Sequence, residues 1–273
     1  MTTRTILTAL LATALIPAAA HSQAIGINAA IRNSVKMKTA TDKAPRPAVL
    51  RERVSLGDEV QTGAASIDQM LLLDKTVFTV GANARVKIDR FVYDPNRGAS
   101  SVAASVAKGA FRFMSGKATR GAPGTSSVTT PVASIGIRGT IFEGVVGPDA
   151  VRIAAGEAGV GNAGAIDPEK ASLIVLRGPG AATQGDEHPG AIDVTAGGST
   201  TAVETAGLAV FVPGPNRAPI GPFKLSDAGL EALHALLRTQ PNRRRGTVAD
   251  PVATNPTTDR YFEGGETEFR QVP

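Results

Sequence analysis

Serine, histidine and acidic side chains could together carry out hydrolysis, but their spacing in this 273-residue chain does not assemble a catalytic set. A serine triad needs a histidine beside its nucleophile, and the body of the chain offers only His188 and His234. No G-x-S-x-G sequence surrounds Ser66, Ser105 or Ser134. Paired carboxylates of the glycosidase type stay open, because a sequence does not give the separation of two acids. We predict that the protein is not an enzyme.

Two further stretches contain residue types that bind metals or nucleotides. Residues 185–190 (GDEHPG) bring two acids and a histidine together, but no second histidine cluster and no calcium-loop spacing accompanies them. Gly159, Gly161 and Gly164 spell G-x-G-x-x-G, yet a nucleotide site needs a helix to begin there, and Pro168 and a new strand follow instead. The sequence therefore predicts no metal site and no cofactor.

One arginine stands apart from the pattern around it. The run TPVASIGIRGTIFEG (residues 130–144) alternates like a half-buried strand and places Arg138 between Gly136 and Gly139, followed by Thr140. Because glycine has no side chain, these glycines let the backbone pack or turn tightly, and the arginine can reach over them. We interpret the motif as structural or partner-binding, and the sequence leaves both roles open.

The arginine is predicted to pair with a carboxylate such as Asp89 or Asp74, because buried charges persist only when paired. If that acid is buried, Arg138→Ala costs about 3 kcal/mol of stability. Asp89 also begins a second distinctive segment, in which two aromatic side chains share one face of a strand. The candidate structural or partner-binding residues of this segment are Asp89, Arg90, Phe91 and Tyr93.

The elements that would position these residues are predicted to be strands. The chain has 30 Gly and 18 Pro but only 4% aromatic residues, which indicates many short strands joined by tight turns. A weak repeat, TGAASIDQM against VGANARVKI, recurs at an offset of 18 residues. We expect an all-β fold, a short β-solenoid with glycine-rich turns, with a β-sandwich of hairpins as the alternative.

One helix is predicted, over residues 226–239 (SDAGLEALHALLRT). Ser226 can cap its N-terminus, and leucines at 230, 233 and 237 form an apolar stripe. We expect this amphipathic helix to cover an open end of the β-structure, with His234 as a packing or boundary residue. The strands before it are divided into residues 54–144 and a β-rich continuation at 145–225, and the tail at 240–273 is predicted to be disordered.

The excess of positive over negative charge in the chain lies in one segment. Residues 25–57 carry seven basic and two acidic side chains, a net charge of +5 that equals the net charge of the whole chain. We therefore treat residues 25–53 as a basic lead-in, with a weakly alternating strand at 25–35 and a loop at 36–50. A basic groove with stacking aromatics is missing, so the sequence predicts no nucleic-acid partner.

The N-terminus predicts export. Arg4 precedes an apolar run at residues 6–16, and small residues follow, so residues 1–24 are read as a signal peptide cleaved after Ala20 or, by preference, after Ala24. The run is too short to span a bilayer, and we expect no transmembrane anchor. The chain contains no cysteine, so stability in an oxidising compartment must come from packing. We expect a periplasmic or secreted protein of a Gram-negative bacterium.

An ordered set of motifs resembles the FecR-domain family, named after the envelope regulator of iron-dicitrate uptake. The motifs are LGDEVQTGAAS, MLLLDKTVFTVGANARVKIDRFVYDP, VAKGAFRFMSG and TPVASIGIRGT, and they lie within residues 54–144. The resemblance implies an all-β domain in the bacterial envelope. The namesake regulators carry this domain behind a cytoplasmic segment and a membrane span, whereas here a signal peptide precedes it, as in a stand-alone exported member.

This resemblance supports two hypotheses about function. The first is a non-enzymatic binding or scaffold module of the cell envelope, whose β-surface binds an envelope protein or glycan. The alternative is a soluble periplasmic sensor or regulator in a signalling relay related to iron uptake.

Overall fold

The structure, a computed structural model, describes residues 23–116, 124–178 and 190–238. All but the last two residues of the predicted signal peptide, and the whole predicted disordered tail at 240–273, lie outside these ranges. The GDEHPG stretch lies outside them except for its final glycine.

Within the described ranges the chain forms seventeen strands and two helices. The strands are β1 (Ala24–Arg32), β2 (Val35–Lys38), β3 (Arg46–Pro47), β4 (Arg53–Ser55), β5 (Glu59–Thr62), β6 (Ile67–Leu72), β7 (Val77–Val80), β8 (Arg85–Asp94), β9 (Ala99–Met114), β10 (Ser126–Thr129), β11 (Ser134–Arg138), β12 (Ile141–Val146), β13 (Ser172–Gly178), β14 (Ala191–Ala196), β15 (Ser199–Val203), β16 (Leu208–Val212) and β17 (Ile220–Lys224). The helices are α1 (Pro148–Ala154) and α2 (Asp227–Leu237).

The strand pairings fall into two sheets that share β9. Sheet A has the order β4-β1-β6-β7-β9-β12-β13-β16-β17. Sheet B has the order β3-β2-β5-β8-β9-β10-β11-β14-β15. Every pair is antiparallel except β9 with β10, which is parallel. Hairpins and short connections therefore build most of both sheets.

A sharp bend in β9 joins the two sheets. Its first half pairs in sheet B and its second half in sheet A, and Gly109 between them has φ +81°. A Cβ atom at this position would overlap the backbone of Asn83 and Ala84. The left-handed backbone and the close approach both require glycine here. The bend brings the two ends of β9 back to the same end of the molecule, where Asp74 accepts a hydrogen bond from Ser100 at 2.6 Å.

The inward side chains of both sheets form one hydrophobic core. Strand alternation sends valine, isoleucine and phenylalanine inward from each sheet. At the centre four aromatic rings lie with their centroids 5.7–6.1 Å apart. These rings are Phe78, Phe111, Phe113 and Phe142. A second hydrophobic cluster lies on the outer face of sheet A, where Leu233 and Leu237 of α2 pack together with Leu173 and Phe211.

The predicted all-β class with a C-terminal helix is confirmed. The solenoid is not confirmed: the pairings are antiparallel apart from one, and the two sheets enclose a shared core as the layers of a sandwich do. Ser226 caps α2 by accepting a hydrogen bond from the Gly229 amide at 3.0 Å. The helix lies on the outer face of sheet A, not across an open end, because its leucine stripe finds apolar side chains there.

Two local predictions in the lead-in have different outcomes. The strand expected at residues 25–35 is present as β1. The loop expected at residues 36–50 is wrong in part, because β2 and β3 occupy portions of it. Met37 is fully buried between exposed lysines, so a two-residue alternation was present in the sequence, but the charges around it concealed the pattern.

Candidate binding surface

Arg138 lies on the outer face of sheet B and pairs with two acids. Its Nη2 atom is 3.0 Å from Oδ1 of Asp193 on β14 and 3.2 Å from Oε1 of Glu204, just beyond β15. The arginine side chain is 36% exposed, and the two acids are more exposed than that. The prediction that Asp89 or Asp74 is its partner is wrong. Both acids have other partners, and β8, which carries Asp89, is three strands away from β11 in sheet B.

The two glycines of the motif have different roles. Gly136 lies opposite Asp193 in the ladder, and a Cβ atom there would be 3.7 Å from the nearest atom of that residue, an ordinary contact. The absence of a side chain at Gly136 is therefore not required by backbone packing. Gly139 has φ +56° and lies in the connection from β11 in sheet B to β12 in sheet A.

Thr140 continues the turn that Gly139 begins. It is buried, its amide donates to Ser115 Oγ at 3.1 Å, and its carbonyl accepts from the Ser115 amide at 3.1 Å. These two hydrogen bonds connect the β11–β12 turn to the end of β9. Thr140 therefore has a structural position, and Arg138 alone of the motif presents a charged group at the surface.

The second predicted segment lies on β8 and divides between surface and core. Asp89 is at a register shift of the β8–β9 ladder, accepts from Ser105 Oγ at 2.6 Å and lies 3.3 Å from Lys87 Nζ. Arg90 donates to the Thr125 carbonyl at 3.0 Å. A bulge of this kind turns successive side chains to one side, which explains why both charged residues are exposed.

The aromatic pair of this segment does not form a surface platform. Phe91 is buried in the core, and Tyr93 lies at the end of β8 with its ring centroid 6.4 Å from that of Phe91. Only Tyr93 is accessible, with 36% of its surface exposed. The predicted set is thus split between the interior and the outer face.

The charged residues of the two segments share one face but do not converge on a point. Two strands, β9 and β10, separate β8 from β11, which places the segments about 14 Å apart at the usual strand spacing. Small side chains fill the space between them: Ala103, Ser105, Ser127, Thr129 and Ser134. We call these five residues the small-residue strip. The strip therefore consists of hydroxyl and methyl groups between two rows of charged side chains.

Sequence reasoning missed a cluster of charged side chains around a buried acid. Glu143 on β12 is 1% exposed, on the outer face of sheet A beneath α2. Its Oε1 atom accepts from Arg112 Nε at 2.8 Å and lies 2.6 Å from Arg112 Nη2. Its Oε2 atom lies 3.6 Å from Arg177 Nε and 3.5 Å from His234 Nε2. The sequence signal for this cluster was a single acid within the apolar run IFEGVV. The sequence could not give its partners, because they lie on three distant elements.

His234 connects this cluster to α2. Burial lowers the pKa of His234 below its usual value of 6.5, the nearby carboxylate of Glu143 acts in the opposite direction, and the positive charges of Arg177 and Arg112 lower it further. The histidine was predicted to be a packing or boundary residue of the helix, and it lies at the boundary between the helix and the sheet.

The described residues bear on the other sequence motifs as well. Among them, no three or more histidine or acidic side chains are grouped as a metal site would require. No helix begins between residues 159 and 171, so the G-x-G-x-x-G sequence lacks the helix N-terminus that binds a nucleotide phosphate. In the same described part of the chain, neither helix has the length and apolar character needed to cross a membrane.

Comparison with known proteins confirms the family resemblance for the middle part of the chain. Residues 58–160 match the family model described as "FecR protein", a range that runs from the start of β5 to just beyond α1. Arg138 and Asp89 both lie inside it. No curated protein matches the chain.

Two solved structures are similar to part of the chain. Both are crystal structures, at 2.50 and 1.65 Å resolution in that order, of a proposed anti-sigma factor from Parabacteroides distasonis ATCC 8503. Each has 14% sequence identity to this chain, with TM-scores of 0.40 and 0.38. Each comparison covers 62% of this chain and 62% of the other, so this chain spans less than two thirds of the length of those structures.

Proposed function

We propose, starting from the FecR match over residues 58–160, that this protein is an exported, non-enzymatic module of the bacterial cell envelope that binds a partner protein. The match is the observation that carries the proposal, because FecR proteins are regulators that act through protein contacts. The predicted signal peptide supports a periplasmic or secreted location.

The outer face of sheet B is the surface that we assign to this partner. Neither described helix packs on it, whereas α1 and α2 both pack on the outer face of sheet A. It presents exposed charges on both sides of the small-residue strip, and small side chains let a partner backbone approach the sheet closely. The paired charges Arg138, Asp193 and Glu204 can exchange partners on binding at little cost because they are solvated already.

Site-specific photo-crosslinking in the native envelope tests this assignment. A photoreactive amino acid at Ser127, in the middle of the strip, should give a discrete cross-linked protein species. The same group at Glu231, which is exposed on α2, is the matched control and should not give that species. The assignment to sheet B is wrong if the two positions give the same products or if Ser127 gives none.

A second candidate function is a role in signalling related to iron uptake. The observation that favours it is again the match to the FecR protein model. Deletion of the gene should then change the transcripts of an outer-membrane uptake system under iron limitation, and the change should disappear in iron-replete medium. Identical transcripts in the deletion strain and the parent, under both conditions, would contradict the signalling role and leave binding as the only proposed function.

A further inference from the structure

Four strands pair on one side only and so form the edges of the two sheets. They are β3 and β15 in sheet B and β4 and β17 in sheet A. An edge strand presents unpaired amide and carbonyl groups to which another strand can bind, and proteins usually protect such edges with proline, charge or short length.

Three of the four edges have such protection. β3 has two residues, and one of them is Pro47. β17 contains Pro222, which has no amide hydrogen to donate. β4 has three residues, of which Arg53 is charged and exposed. None of these edges offers a continuous row of backbone donors and acceptors.

The edge at β15 has none of these features. Its sequence, STTAV, contains no proline and no charged residue, and four of its five residues are exposed or half-buried. The tight hairpin through Gly197 and Gly198, both with positive φ, makes Ala196 and Ser199 the first hydrogen-bonded pair with β14. Alternation along the ladder then directs the amide and carbonyl groups of Thr200 and Ala202 away from β14. No other described residue pairs with them.

We propose that two copies of this chain pair antiparallel through β15, with Thr201 on the two-fold axis. In this register Thr200 of one copy lies opposite Ala202 of the other, so that the outward-directed groups of both residues bond to each other. Thr201 faces its own symmetry mate.

The side chains of β15 favour a second copy over a foreign strand. The register places small uncharged residues opposite one another, and Glu204 lies across from Gly198, so no like charges meet. A symmetric interface of this kind is self-complementary, because each copy presents the same strand to the other. The dimer joins the two B sheets and places two small-residue strips on one continuous surface. This inference does not depend on the proposed function, because it rests on the backbone and side chains of β15 and of the residues next to it.

Sedimentation of the purified exported chain over a concentration series tests the dimer. We expect a reversible monomer–dimer equilibrium that reaches dimer at the upper end of the series. Ala202→Pro removes an outward-directed amide without removing a bond to β14, and symmetry doubles the loss. The dissociation constant should therefore rise at least about tenfold. Ala206→Pro, in the exposed turn just after β15, is the matched control and should sediment as the native chain does.

A disulfide test gives the register without relying on a proline variant. The native chain has no cysteine, so a single introduced cysteine can bond only to a second copy. Thr201→Cys should oxidise to a covalent dimer, because residues directly opposite in a non-hydrogen-bonded pair have the Cα separation that a disulfide needs. Thr195→Cys lies on β14, one strand further from the axis, and should stay monomeric.

Three results would overturn the proposal. One is a native chain that stays monomeric throughout the series. This result would contradict the dimer even if other residues of the same chain, or a strand of another protein, cover β15. Another is a native dimer whose dissociation constant is the same in Ala202→Pro. The last is equal cross-linking of Thr201→Cys and Thr195→Cys, which would indicate random collision.

Discussion

The outer face of sheet A holds Arg112 and Glu143 beneath α2, whereas the outer face of sheet B holds Arg138 with Asp193 and Glu204 in the open. Both clusters join an arginine to a carboxylate across neighbouring strands. Glu143 is 2% exposed as a side chain, whereas Asp193 is 38% exposed. An ion pair in water contributes little to stability, and breaking a buried one costs several kcal/mol.

This difference shows that the residues by which the sequence can be recognised are not the residues that stabilise the fold. The motif around Arg138 is conspicuous in the sequence, yet its ion pairs are with exposed acids. The Glu143 cluster has no sequence motif, yet it lies where the second hydrophobic cluster meets the sheet. We therefore expect substitutions on sheet A to change stability and substitutions on sheet B to change binding.

Substitution of Asp68 has the largest expected effect on stability. Asp68 is a buried acid that lacks, within the described part of the chain, the neighbouring cations that Glu143 has. It lies on β6, on the same side as Met70 and Leu72, and is fully buried. Neither carboxyl oxygen has a hydrogen-bond partner among the described residues, although the Gln69 amide lies near enough to favour the charged form slightly. Burial raises the pKa of Asp68 from 3.8 to about 7.

Asp68→Asn should therefore stabilise the protein at neutral pH. Between pH 3.8 and about 7 the folded carboxyl keeps a proton that the unfolded chain has lost, so the stability of the native protein falls as the pH rises. The full difference in unfolding free energy is about 4 kcal/mol above pH 7 and vanishes below pH 4. Denaturant titrations at several pH values measure it. Glu169→Gln, an exposed acid in a turn, is the control, and a similar gain there would contradict the explanation.

Arg112→Met gives the next largest effect and tests the sheet A cluster directly. The methionine keeps the apolar stem and removes the charge, which leaves Glu143 buried with Arg177 and His234 at 3.5–3.6 Å. We expect a loss of about 3 kcal/mol in unfolding free energy by chemical denaturation. Combining it with Glu143→Leu should recover much of that loss, because no buried charge then remains. A double variant no more stable than Arg112→Met would show that the apolar replacement fails to pack.

These two cases also show how far the sequence could predict the structure. Local alternation predicted strands such as β8, where Ile88 is buried and Lys87 exposed, and a serine at the right position predicted the cap of α2. Arg138 was recognised as paired, but its partner Asp193 is 55 residues away, and strand register across such a separation is not a local property. The buried positions of Glu143 and Asp68 depend on the same tertiary register.

His234→Gln tests the helix side of the sheet A cluster through pH. Because burial lowers the pKa of His234 below 6.5, the unfolded chain binds a proton that the folded chain rejects just below this pH. The native protein therefore loses stability as the pH falls through this window, and the glutamine variant loses less. The melting temperature of both proteins across the window measures the difference. A difference of opposite sign would show that the attraction of Glu143 exceeds the cost of burial.

Arg138→Met has the smallest expected effect on stability and decides whether the comparison holds. Both of its acids are solvated once it is removed, so the loss should be about 0.5 kcal/mol and should shrink further in high salt. The earlier expectation of a loss near 3 kcal/mol assumed a buried acid, which Asp193 and Glu204 are not. Parallel denaturation of Arg112→Met and Arg138→Met measures the two faces under the same conditions.

The photo-crosslink at Ser127 then separates the two roles left open for Arg138. Near-native stability with loss of the cross-linked species would assign the arginine to partner binding. Near-native stability with an unchanged cross-link would show that the ion pairs of Arg138 are needed neither for stability nor for partner binding. A stability loss equal to that of Arg112→Met would contradict the comparison, because an arginine paired with exposed acids would then contribute as much as one paired with a buried acid. The outer face of sheet B would then need a structural explanation.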